Sequence, residues 1–196
     1  QARPDLVTQI VPSPFAFFCL DYVRNLIDDG FLGELRELVV IGANDQFHDV
    51  TIPRHWRQDR EISGWNVLAM GILHEAALRW APDPRRVFAQ VATFGPERPD
   101  GPVTIPDSVQ VVTELEGGGR GLYHLSGVAL HGPGFHLHLY GSAGTIRVDL
   151  GAEQLMIGRG GEESLHEPEI PEEQRGGWRV EEEFIGAIRG TESIRL

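Results

Sequence analysis

Residues 108–150 read SVQVVTELEGGGRGLYHLSGVALHGPGFHLHLYGSAGTIRVDL. Apolar and polar residues alternate through most of this stretch, and glycine clusters interrupt the alternation. A period of two marks strands with one buried face. Strands are therefore predicted over 108–116, 121–130, 135–140 and 145–150. The glycines at 117–119 form a hairpin turn, and Gly132-Pro133-Gly134 and Gly141-Ser142-Ala143-Gly144 are further tight turns. Short turns join antiparallel neighbours, so the sheet is expected to be largely antiparallel.

The pattern extends in both directions. Residues 86–94 and 155–157 add strands on either side, and 35–43 is an apolar, β-branched strand upstream. Residues 6–11 are β-prone. Pro12-Ser13-Pro14 then starts a helix, with Ser13 as N-cap and Pro14 in the first turn. Phe15, Phe18, Cys19, Tyr22, Val23 and Leu26 follow at helical spacing, and Gly30 closes the helix. A second helix is expected over 64–80, where Glu75 and Arg79 form an i,i+4 pair. A third runs over 178–189 and stops at Gly190. Residues 44–62 form a long polar connection, and 160–176 an acidic excursion. Helices, then consecutive strands, then a helix is the order of an α+β domain. The expectation is one domain over 1–196: a largely antiparallel open-faced sheet with helices packed on one face. The other face then needs a partner wherever it is apolar.

Composition removes several function classes. The chain has 196 residues, with 17 Lys+Arg against 29 Asp+Glu and a net charge of −12. That balance argues against a nucleic-acid surface. No apolar run approaches the roughly 18 residues of a membrane span. The single cysteine, Cys19, excludes an internal disulfide framework, and its place on an apolar helical stripe favours an inert packed thiol. Lysine is absent altogether, so Schiff-base chemistry and a Walker lysine are excluded on this chain. The two dense glycine stretches, 117–121 and 158–161, lack the spacing of a dinucleotide loop. The N-terminus, Gln1-Ala2-Arg3-Pro4-Asp5, has no initiator Met and no signal-peptide pattern, which suggests a cytoplasmic chain that begins inside something longer.

Other chemistry-bearing patterns resolve to structure. His74-Glu75-Ala76-Ala77-Leu78 opens like a zinc-protease helix but has Leu78 at the second histidine position. Gly141-Ser142-Ala143-Gly144 lacks the spacing of a nucleophile elbow. His136, His138 and Tyr140 share one strand face, and His124 is the nearest further ligand. Zinc needs a third ligand in a fixed geometry, and the expected role is a polar stripe facing solvent or a subunit, with no metal. Glu181-Glu182-Glu183 opens a helix, where it suits the helix dipole.

Four stretches carry a resemblance. They are Leu26-Ile27-Asp28-Asp29-Gly30-Phe31-Leu32-Gly33-Glu34-Leu35; His55-Trp56-Arg57 with Ser63-Gly64-Trp65-Asn66; Leu139-Tyr140-Gly141-Ser142-Ala143-Gly144-Thr145-Ile146; and residues 180–190. In this order they resemble the C-terminal domain of the glucose–fructose oxidoreductase/inositol dehydrogenase (Gfo/Idh/MocA) family. The resemblance implies an intact enzyme that uses NAD or NADP bound by an N-terminal Rossmann domain, which this chain lacks. It further implies a sugar, polyol or related hydroxy substrate and a homo-oligomer built through the open sheet face.

The resemblance also places the family's catalytic Asp and His, four residues apart, on the helix that here contains Ala69 and Leu73. Neither can transfer a proton, so the catalytic residues are unknown. His74 sits one residue late, and Asn66, at i−7 from Leu73, lies nearer that face. His74 is read either as a hydrogen-bonded packing residue or as a substrate contact. Trp56 and Arg57 either wall and clamp a substrate or anchor the loop, with Arg57 paired to Asp59 or Glu61. The substrate-binding set is thus His74, Asn66, Trp56 and Arg57. The leading reading is the substrate-binding and oligomerisation domain of a nicotinamide-dependent oxidoreductase, inactive as this chain alone. The alternative is a non-catalytic dimerisation or carbohydrate-binding module.

Overall fold

The computed structural model describes residues 6–194. Its centre is a seven-stranded sheet built from β1 (Leu35–Ala43), β2 (Pro84–Ala92), β5 (Ser108–Leu115), β6 (Arg120–Ser126), β7 (Gly134–Gly141), β8 (Gly144–Asp149) and β9 (Gln154–Arg159), in the order β2-β5-β6-β1-β7-β8-β9. A two-residue pair, β3 (Glu97–Arg98) and β4 (Gly101–Pro102), lies apart from it. Every pairing in the large sheet is antiparallel except β1 with β6.

That exception is what the turns do not reveal. Strand β1 inserts between β6 and β7, so these consecutive strands never pair. The chain instead crosses the end of β1: Asn44 N donates to Ser126 O, Ala129 N donates to Asn44 O, and a Cβ at Gly132 would strike the Ala43 carbonyl. The predicted strand over 121–130 accordingly ends at Ser126.

Helices α1 (Leu20–Asp28) and α3 (Met70–Leu78) supply the cover of one sheet face. Val23, Leu73, Ala76 and Ala77 join Leu38, Val40, Leu137, Leu139, Ile146 and Val148 in one buried cluster. Between them in sequence is a single-turn helix, α2 (Arg60–Ser63), and α4 (Val180–Arg189) closes the fold, capped by Gly190 in the left-handed region as expected. Three expected elements differ. Residues 7–14 have no strand structure: residues 7–11 join no ladder, and beyond them Glu75 Oε2 accepts from Ser13 N at 2.8 Å while Arg79, the C-cap of α3, donates to the carbonyls of Ser13 and Phe15. The first helix begins with a 3₁₀ turn, Phe17–Cys19, and Cys19 rather than Ser13 occupies the N-cap of α1. The second helix starts at Met70, not Gly64, since Gly64 and Leu68 adopt positive φ of 61° and 52°.

The opposite face of the sheet has no covering helix. Register places three rows across it. The middle row runs Phe88, Val112, Leu122, Val39, His138, Arg147, Met156. Phe88, Val112 and Leu122 are 72%, 49% and 45% exposed. A charged row with Arg86, Glu114, Arg120 and Glu37 lies on one side of it. A polar row with Gln90, Gln110, His124, Ile41 and His136 lies on the other.

Candidate active-site cleft

Where α3 meets the β2–β5–β6 end of the helix-covered face, it leaves a cleft of about 340 Å³. Its lining comes from four places. Trp65, Asn66 and Val67 belong to the irregular turn before α3. Met70, Gly71 and His74 are on α3 itself. Pro84 and Val87 come from β2, and Val111, Thr113 and Tyr123 form the floor from β5 and β6. The late start of α3 shapes this space, because residues 64–69 run as turns, of which Trp65, Asn66 and Val67 form part of the lining.

The polar groups of the cleft are few. His74 Nδ1 lies 3.0 Å from the Tyr123 hydroxyl. Tyr123 is 4% exposed, and burial pushes its hydroxyl up to about 12, so it stays neutral and holds the imidazole by hydrogen bonding alone. His74 is half-buried and Asn66 exposed at the rim. Thr113 is buried, and its Oγ1, without a hydrogen-bond partner, is packed against Gly121 of β6 and closed off from the cleft. The structure thus brings His74 and Asn66 together. It does not bring Trp56 or Arg57 into the lining.

Trp56 and Arg57 sit in the long connection between β1 and α3, which is held firmly. Buried Arg98 donates to the carbonyls of Phe47, at 2.6 Å, and of Asp49. His55 and Gln58 form a reciprocal cap around Trp56. The Arg57 guanidinium stacks on Trp56 at 3.9 Å, and Arg60 stacks on Trp65, a wall of the cleft, at 4.1 Å. Arg57 does not pair with Asp59: that carboxylate is held by Arg54 at 3.2 Å and accepts from Glu61 N. Among the described residues no carboxylate forms an ion pair with Arg57 or Arg60.

The histidine stripe behaves differently from a solvated face. His138 is 8% exposed, within reach of the Tyr140 hydroxyl at 3.1 Å. Burial, then Arg147 and His136, press its pKa down to about 4. His124 is separated from His136 by the intervening Ile41 of β1, two strand spacings or roughly 9.5 Å. No group of three His, Cys, Asp or Glu is placed to hold a metal ion among the described residues.

The sequence of the chain matches the family model described as GFO/IDH/MocA C-terminal domain over residues 20–147. The chain belongs to the GFO/IDH/MocA C-terminal domain family. Among curated proteins none matches. The fold is similar to that of levoglucosan dehydrogenase in complex with NADH and levoglucosan, at 19% identity and a TM-score of 0.77, covering 89% of this chain and 55% of that one. It is also similar to an oxidoreductase domain protein from Kribbella flavida (20% identity, TM-score 0.74, 90% and 55% covered). A third is an inositol dehydrogenase homolog from Azotobacter vinelandii complexed with NAD+ (22% identity, TM-score 0.65, 76% and 40% covered). The chain therefore spans little more than half the length of these solved structures, and less of the last.

Within this GFO/IDH/MocA domain, the two positions that the resemblance assigns to catalysis are turned to other work. Ala69 is the N-cap of α3 and offers no side-chain cap. Leu73 is fully buried, packed where a Cβ on Gly42 would come within 2.5 Å of it. A dinucleotide does not fit the glycine stretches either. One forms the β5–β6 hairpin and the other follows β9 into irregular chain, and neither opens a helix that could present its amides to a pyrophosphate. Tyr123 and Thr113 escaped the sequence reading. The available signal was a tyrosine alternating with Gly121 and Leu125 on a buried strand face, and a lone threonine among Val109, Val111 and Val112.

Proposed function

We propose that this chain is the substrate-binding and oligomerisation domain of an NAD(P)-dependent oxidoreductase acting on a sugar, polyol or related hydroxy compound. The observation that carries the reading is the open cleft beside α3, lined by His74, held by Tyr123, and by Asn66. A hydroxyl entering the cleft finds a hydrogen-bonding ring nitrogen in His74 Nε2, since Nδ1 is engaged. Trp56 and Arg57 complete the proposed substrate-binding set from the loop, outside the lining itself. The nicotinamide cofactor, NAD or NADP, is held by an N-terminal Rossmann domain joined to or paired with this chain. The levoglucosan dehydrogenase and inositol dehydrogenase homolog named above support hydride chemistry on hydroxylated rings, and the exposed middle row of the open face supports a homo-oligomer. The setting is cytoplasmic, consistent with a single buried free thiol. No helix among the described residues is long and apolar enough to cross a membrane.

A second reading follows from Ala69 and Leu73: a module that binds carbohydrate or dimerises without catalysis. The discriminating experiment is reduction of NAD+ or NADP+ across a panel of sugars and polyols. It uses this chain alone and the protein in which a Rossmann domain accompanies it. Turnover in the second and none in the first is the expected result. No turnover in either, with sugar binding retained, favours the non-catalytic module.

A further inference from the structure

Tyr123 sits within β6, between Val40 of β1 and Val111 of β5, so strands on both sides fix where its ring lies. The residue is 4% exposed, and burial pushes its pKa up to about 12, so the hydroxyl keeps its proton. A buried hydroxyl proton left without an acceptor costs stability. Among the described residues its one hydrogen-bond partner is Nδ1 of His74, at 3.0 Å. The phenol therefore donates to Nδ1, which must be bare to accept. A neutral imidazole carries one proton, and here that proton is on Nε2. Nε2 itself has no partner among the described residues, and His74 lines the cleft.

That arrangement limits what His74 offers a ligand. A base has to take a proton at Nε2, and the imidazolium then carries a proton on each nitrogen. Its Nδ1–H would face the phenol, which would have to turn its own proton away with no protein acceptor to receive it. No Asp or Glu lines the cleft to steady the cation, as a carboxylate does behind a histidine base. An Nε2–H donor meets neither difficulty. It can hydrogen-bond a hydroxyl or carbonyl oxygen, and it holds that oxygen more strongly as negative charge develops there.

Resting on the reading of this cleft as the substrate site, we infer that Tyr123 is a positioning residue that locks His74 in the tautomer with its proton on Nε2, and that His74 serves the substrate as a neutral hydrogen-bond donor to oxygen and not as a base. Long-range proton–nitrogen NMR of the 196-residue chain should find the His74 proton on Nε2 and Nδ1 bare. Tyr123→Phe should release the ring into a mixture of both tautomers. A proton on Nδ1 in the wild type, or the same single tautomer in Tyr123→Phe, overturns the inference and leaves the substrate site standing. Kinetics of the protein that joins this chain to a Rossmann domain test the donor role. Glutamine offers an amide N–H in place of Nε2–H but cannot act as a base. His74→Gln should therefore keep kcat/KM within about tenfold of wild type, where His74→Ala loses about 100-fold. His74→Gln as slow as His74→Ala makes His74 a base, which overturns the inference with the cleft still in the reaction. Wild-type kcat/KM in both His74 variants takes down the inference and the reading of the cleft together.

Discussion

His138 is a base kept out of water on the face of the sheet that no helix covers. Tyr140, His136 and Arg147 surround it, and Asp149 lies 4.0 Å from the His136 ring. Its pKa is lowered to about 4, first by burial and then by Arg147 and His136. The unfolded chain, with a histidine near 6.5, binds the proton more readily, so acid favours unfolding. The stabilising contribution is whole above pH 6.5 and is lost as pH falls towards 4. At pH 4.5 it amounts to roughly 2 kcal/mol relative to pH 7. Urea unfolding of the wild type and His138→Gln at both pH values should show the wild type losing that much more than the variant. Equal losses would mean that His138 titrates normally. Alternation placed His138 on the polar face but could not show its burial, because that depends on Arg147 and Met156 arriving from strands whose register the sequence does not fix.

Two of the four motifs behind the resemblance touch one another. The β7–β8 turn, Gly141 to Gly144, packs on the segment 31–34 that leads into β1. Ala143 N donates to Leu32 O at 2.9 Å, Ser142 N donates to Glu34 O, and Ser142 Oγ accepts from Glu34 N. A Cβ on Gly141 would run into the Leu32 carbonyl, and one on Gly144 would lie 2.6 Å from Phe31 O. Gly141→Ala should therefore cost about 3 kcal/mol, read as a fall in the urea midpoint at unchanged slope. A cost below about 0.5 kcal/mol would mean that the turn gives way easily. These elements were legible because turn chemistry and period-two alternation are local. The insertion of β1 between β6 and β7 was not, since pairing between strands some 80 residues apart leaves no local signal. The start of α3 was misplaced for a different reason. Residues 64–69, Gly-Trp-Asn-Val-Leu-Ala, hold four weak helix formers, and the apolar run that follows them drew the expected helix too far back; the chain turns there with Leu68 buried at positive φ.

The whole molecule exposes 11639 Å². A compact monomer of 21.7 kDa would expose roughly 9,200 Å². The excess fits a sheet covered on one side only. Phe88, Val112 and Leu122, adjacent across three strands, are the apolar centre of the uncovered face. Self-association there buries it without requiring a helix. Light scattering should find the wild type dimeric or larger at micromolar concentration. Leu122→Arg should be monomeric with little change in Tm, because Leu122 is already half in water. A wild type that stays monomeric would leave this face to another partner. The α+β class and the open face were readable from the chain, whereas the cleft was only half so. Asn66 and His74 lie within ten residues of one another, while Thr113 and Tyr123 reach them only once the sheet is assembled.

The claim that this cleft is where substrate meets the enzyme is tested most directly by kinetics of His74→Ala and Asn66→Ala in the protein that joins this chain to a Rossmann domain. His74 is held by Tyr123 and Asn66 is at the rim, so His74→Ala should lower kcat/KM about 100-fold and Asn66→Ala about tenfold, with both proteins folded. Wild-type kcat/KM in both variants would take the cleft out of the reaction.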